Sequence, residues 1–141
     1  MTALKYFYGI AGLTTLANGL WMLVSPETWY GDLPAEVPDT GPLNVHFVRD
    51  IGVAFSVMGL GLLWCARHID RCRVVHLGVT AFFAGHALVH VVEMLTGSLP
   101  PTHWWIDFPL VFAPAILLVV LALPPVWRRV SGVREFLMVN C

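Results

Sequence analysis

Three residues that could do chemistry stand in HALVHVVE, one of the most apolar stretches of the chain: His86, His90 and Glu93. Their spacing, four and then three, puts them on one face of a helix. The spacing of four recurs at His46 and Asp50 and again at His103 and Asp107. Imidazoles one turn from carboxylates suit zinc, iron, manganese or copper. The third-helix face shares its spacing with the zinc pattern H-E-x-x-H, but Glu93 lies outside the histidine pair, so protease chemistry is not carried over. Arg49 cannot be a ligand. Its expected role is to pair with Asp50, Glu93 or Asp107, or to hold an anionic group of a substrate.

These residues need elements to position them, and composition decides which. The 141 residues are 57% hydrophobic and only 12% charged, against about 25% charged in an ordinary soluble domain. Apolar residues are bunched into four runs, at about 4–24, 43–66, 74–96 and 104–127. Each reaches the roughly 20 residues that a helix needs to cross hydrocarbon. Alternating barrel strands are absent, and open sheets cannot cross a bilayer. The expected fold is all-α, an integral membrane four-helix bundle forming a single domain over residues 1–141. The first run contains Lys5 but no A-x-A site follows it, so it reads as a retained helix and not as a cleaved signal.

Charge orients the bundle. Lys5, Arg67, Arg71, Arg73, Arg128, Arg129 and Arg134 all fall at one end, and the opposite connection, residues 25–42, is acidic with no Lys or Arg. Lys and Arg collect on the cytoplasmic side, which puts both termini there. The 25–42 loop holds four prolines and two glycines, which argues against a regular helix in it. Trp29, Tyr30, Trp104 and Trp105 read as an interfacial belt, with a loop folded over the bundle as the other possibility. Gly52, Ser56 and Gly59, and likewise Gly78, Ala81 and Gly85, are spaced for close helix approach. Pro109 and Pro114 should kink the fourth helix. Cys65, Cys72 and Cys141 form no C-x-x-C and read as inert thiols.

Helical rise then sets depth. His46, Arg49 and Asp50 enter the second helix, His86, His90 and Glu93 leave the third, and His103 and Asp107 enter the fourth. Asn18 sits in the same half of the first. All the strongly polar residues of the spans therefore collect at the loop end, while the other half should hold essentially none. His68 and His76 read as ordinary interfacial residues. Ionisable groups inside spans face the bundle interior and are functional candidates. The expected metal ligands are His46, His86, His90 and Glu93. Asp50, His103 and Asp107 follow as further ligands or supports, and Arg49 and Asn18 as ion-pair or substrate contacts.

A transition metal ranks ahead of a b-type haem, which would use two imidazoles but not three nearby carboxylates. A structural network and a proton or solute pathway are the other uses for such groups. No basic run or aromatic platform points to nucleic acid.

NVHFVRDIG at 44–52, with the preceding TGP and the later HALVHVVE, resembles small bacterial four-helix membrane proteins of unknown function, loosely related to the DoxX-like group. The resemblance implies a small bundle in the bacterial inner membrane and implies no activity; with the charge orientation above, the 25–42 loop is then periplasmic. On the residues, a redox or hydrolytic metalloenzyme is one expectation. A non-catalytic accessory subunit of a larger membrane complex is the other, and a homo-oligomer is a further possible assembly.

Overall fold

The computed structural model describes residues 2–132, and all the regular elements among them are helical. Arg134 and Cys141 lie outside that range. In chain order come α1 (Thr2–Val24), α2 (Pro26–Asp32), a short 3-10 turn (Val37–Thr40), α3 (Val45–Arg67) and α4 (Arg73–Thr96). They are followed by α5 (His103–Ile106), a π-helical turn (Phe108–Phe112), α6 (Ala113–Ala122) and α7 (Pro124–Ser131). Helices α1, α3 and α4 are each long and apolar enough to cross a membrane.

The chain is built as two helix pairs. Helices α1 and α3 pack along their length, α4 packs on α6, and α3 joins the pairs through α4. Glycine makes the first pairing possible. A Cβ on Gly19 would stand 2.6 Å from the Ser56 amide nitrogen, and one on Gly59 would stand 2.6 Å from that of Leu16. No real side chain tolerates this, so the two backbones meet only because both positions are bare. The expected Gly52–Ser56–Gly59 stripe is thus in use. The Gly78–Ala81–Gly85 stripe is not: Gly78 and Gly85 have open space where a Cβ would be. Helix α4 turns its bulkier face inward instead, burying His76, Val79, Phe83 and Ala87.

The fourth apolar run departs from a single helix over 104–127. It breaks first at Asp107, where the Pro109 ring cannot donate and the chain winds into a π-helical turn; both Val111 and Phe112 donate to the Asp107 carbonyl. Pro114 is absorbed in the first turn of α6, where a missing N–H costs nothing. The sharp break comes later. Leu123 precedes Pro124 and is forced into extended backbone (φ −63°, ψ 129°), so α7 leaves at 85° to the segment before it.

The 25–42 loop also departs from expectation. It contains α2, because Pro26 sits in the helix's first turn. Tyr30 donates to the Gly41 carbonyl at 2.7 Å and Trp29 donates to the Asn18 side chain at 2.9 Å. The aromatics are half-buried and tie the loop down onto α1. Trp105, 82% exposed, is the one of the four that stands wholly outward.

Candidate functional site

The loop end of the bundle holds a chain of alternating imidazoles and carboxylates. Asp107, fully buried at the break between α5 and the π-helical turn, has one oxygen, Oδ2, shared by two histidines. His90 Nδ1 approaches it at 2.7 Å from α4, and His103 Nδ1 at 3.1 Å from one turn earlier. A carboxylate only accepts, so both Nδ1 atoms carry the proton and donate. This fixes the far nitrogen of each ring. His103 Nε2 faces Asp39 Oδ2 of the 3-10 turn at 3.3 Å. Glu36 completes the group: one ligand atom from each of Glu36, Asp39 and His103 lies within 4.8 Å of the others.

The local backbone explains how Glu36 arrives. It adopts a left-handed conformation (φ 46°, ψ 46°) as the residue leading into the 3-10 turn, the one non-glycine residue with positive φ among those described. That conformation is uncommon for a residue with a Cβ and carries a steric cost. His103 is held from the other side. It is entirely buried, while Glu36 and Asp39 are exposed, so the group straddles the boundary between the packed interior and the loop surface.

The other expected ligands are distributed differently. His86 lies edge-on to Phe55 and to His90, with ring centroids 5.7 and 4.8 Å away, and is packed among aromatics. Glu93 borders a shallow groove with Gly85, Leu88, Val89 and Val92 on α4. His46 is 88% exposed and pairs with Asp50 at 3.3 Å, one turn away on α3. Arg49 donates Nε to the Leu23 carbonyl at 3.3 Å, closing the last turn of α1. Asn44 caps α3 by accepting from the Phe47 amide at 3.1 Å. The NVHFVRDIG stretch therefore builds the joint between α1 and α3: a cap, a clamp on α1, and the bare Gly52. Among the described residues, His46, His86, His90 and Glu93 do not form a group of three ligands within 4.8 Å; Glu36, Asp39 and His103 do.

Beside this site lies a cavity of about 1130 Å³, bounded by α1, the loop, α3, α4 and residues 107–118. His86, His90 and Asp107 reach its wall. Asp107 is the partition: one imidazole partner looks into the cavity, the other toward Asp39.

The chain belongs to the DUF4345 family. The model of that family, a domain of unknown function, matches residues 3–126. No curated protein and no solved structure matches the chain. The DUF4345 match spans every residue of the polar chain just described, from Glu36 to Asp107.

The opposite end of this DUF4345 chain corrects another expectation. His76, expected to be an interfacial residue, is fully buried. Its Nδ1 lies 2.9 Å from the Tyr8 hydroxyl and its ring stacks on Trp127 of α7 at 5.2 Å. Arg73 sits 5.0 Å over the same indole and donates to the Ala122 carbonyl at 2.6 Å, which holds the end of α6. Polar groups are thus buried in both halves of the bundle. Cys65 and Cys72 are free and buried at this end.

Sequence reasoning counted Glu36 and Asp39 only as loop charge and missed that they stand with His103 in a group that could hold a metal ion. Their spacing of three, just ahead of Gly41, was the available signal. Nothing local links them to His103, which is 64 residues from Asp39.

Proposed function

We propose that this chain is a single-domain, four-span protein of the bacterial inner membrane that binds a transition-metal ion through Glu36, Asp39 and His103. Both termini are cytoplasmic and the 25–42 loop is periplasmic in this reading, which the segregation of Lys and Arg supports. The kinship with DoxX-like proteins belongs to the same proposal.

The observation that carries it is the imidazole of His103. Its Nδ1 proton is committed to Asp107, yet its Nε2 faces a second carboxylate, Asp39, at 3.3 Å. A bare lone pair beside a carboxylate is repulsive. Either Nε2 holds a second proton or a cation lies between the two. A metal-binding histidine characteristically donates its other N–H to a carboxylate, which orients the ring and raises its basicity. Asp107 fills that role, and His90 in turn holds Asp107. Two oxygen ligands and one imidazole suit zinc, iron or manganese ahead of copper. Three protein ligands leave a position for water, whose acidity the metal would raise. Hydrolysis is the reaction class this set fits best; iron or manganese in the same ligands would serve a redox reaction.

One observation favours a second reading. Asp39, His103, Asp107 and His90 form an unbroken hydrogen-bonded line from the loop surface to the cavity. With a second proton on His103 in place of metal, that line is a proton path. Reconstitution with Co²⁺ separates the two. Under the metal reading a visible ligand-field band appears in the purified protein and is lost in Asp39→Asn and in His103→Gln. No band in the unaltered protein, or an undiminished band in both variants, rejects the metal reading.

A further inference from the structure

The large cavity has a direction. Its α1 wall runs from Phe7 to Met22, about 22 Å by helical rise. At the Phe7 end the other walls are Leu62 and Leu118, wholly apolar. At the opposite end are Asn18, Tyr30, His86, His90 and Asp107, beneath the loop. The cavity is open on one side. Helices α1 and α6 both line it but make no extensive contact with each other, and Ile10 of α1 and Leu117 of α6, both on its walls, remain 65% and 51% exposed. In a chain whose α1, α3 and α4 are apolar and long enough to cross a bilayer, a slot between α1 and α6 would give onto the acyl region and not onto water.

The chemistry of the walls selects the occupant. Among the described residues no Lys or Arg lines the cavity, and its carboxylate, Asp107, is already taken by two imidazoles. A phosphate or carboxylate head would meet no fixed cation. His90, with its proton committed to Asp107 through Nδ1, offers Nε2 as an acceptor. An uncharged head that donates a hydrogen bond is what this end receives. We propose that the cavity binds a lipid with an uncharged alcohol head, admitted sideways between α1 and α6. The tail lies along α1 toward Phe7 and the hydroxyl donates to His90. The inference does not rest on the metal reading, because Glu36, Asp39 and His103 are not among the cavity's walls.

Photolabelling of the full chain in nanodiscs tests it, using a long-chain primary alcohol that carries a diazirine either near the hydroxyl or at the tail tip. The head-labelled probe should mark Asn18–Met22 and His86–His90, and the tail-labelled probe Phe7–Ala11 and Leu117–Leu118. Unlabelled alcohol should compete, and its methyl ether, which cannot donate, should compete about tenfold less well. Thr14→Trp, which fills the slot from α1, should cut labelling about tenfold. Leu117→Trp fills it from α6 and serves independently if the first variant does not fold. Equal competition by the ether or by a phosphate-headed analogue, labelling unchanged by both tryptophans, or cross-linking to a second chain in the slot would each overturn the proposal. Metal content should be the same in both tryptophan variants, so a failure here leaves the Glu36–Asp39–His103 reading standing.

Discussion

Two histidines of this chain are completely buried, at opposite ends of the bundle, and they have been buried in opposite ways. The groups that touch the His76 ring are neutral: the Tyr8 hydroxyl, Thr80, and the face of Trp127, whose indole Arg73 also covers. A neutral hydroxyl at each ring nitrogen and an aromatic stack satisfy it, and nothing there requires a charge on the ring. His103 is flanked by carboxylates on both nitrogens. Burial alone therefore does not mark a functional histidine. The first joins α1, α4 and α7, a structural role, while the second has a negative neighbour that only a proton or a cation can balance.

The contrast can be broken most forcibly at Asp107. Asp107→Ala should strip both His90 and His103 of their partner and lower stability by about 3–5 kcal/mol, as loss of one member of a buried polar pair does. Thermal unfolding in detergent measures it. Chelation comes next. If the metal is present at a hundred times its dissociation constant, removing it should cost about 2.7 kcal/mol. His76→Phe should show the same chelator-induced drop in melting temperature as the unaltered protein, and His103→Gln should show none. His76→Phe itself should cost about 1–3 kcal/mol, because it leaves the buried Tyr8 hydroxyl without its partner while keeping the ring stack on Trp127. Smallest is Asp39→Asn. At an exposed position it should change the stability of the metal-free protein by less than about 0.5 kcal/mol. Metal affinity, read by competition with a chromophoric chelator, should still fall at least tenfold. A large stability loss in metal-free Asp39→Asn would instead make the carboxylate a structural partner of an imidazolium.

The helices were legible in the sequence because apolar run length is a one-dimensional property. Three of the four runs form single long helices, and the bare faces of Gly52 and Gly59 are used as their spacing implies. Leu123 was equally readable in principle, since a residue before proline avoids helix, but the apolar run through Pro124 and Pro125 masked the stop. Helix rotation was not legible. His46, His86 and His103 share a depth, yet depth does not say which way a face turns, and His46 faces out with Asp50. The pairing of His103 with Asp107 was visible as a spacing of four, whereas the approach of Asp39 and His90 depends on how the loop and α4 fold back onto that point. His76 escaped for the complementary reason: its partners Tyr8 and Trp127 come from the two ends of the chain.

The most direct measurement is elemental analysis of the purified protein beside His103→Gln and His76→Phe, after reconstitution with zinc, iron or manganese. About one equivalent per chain in the unaltered protein and in His76→Phe, with none in His103→Gln, is the expected result. Absence of metal from all three, or equal metal in all three, would contradict a centre at Glu36, Asp39 and His103.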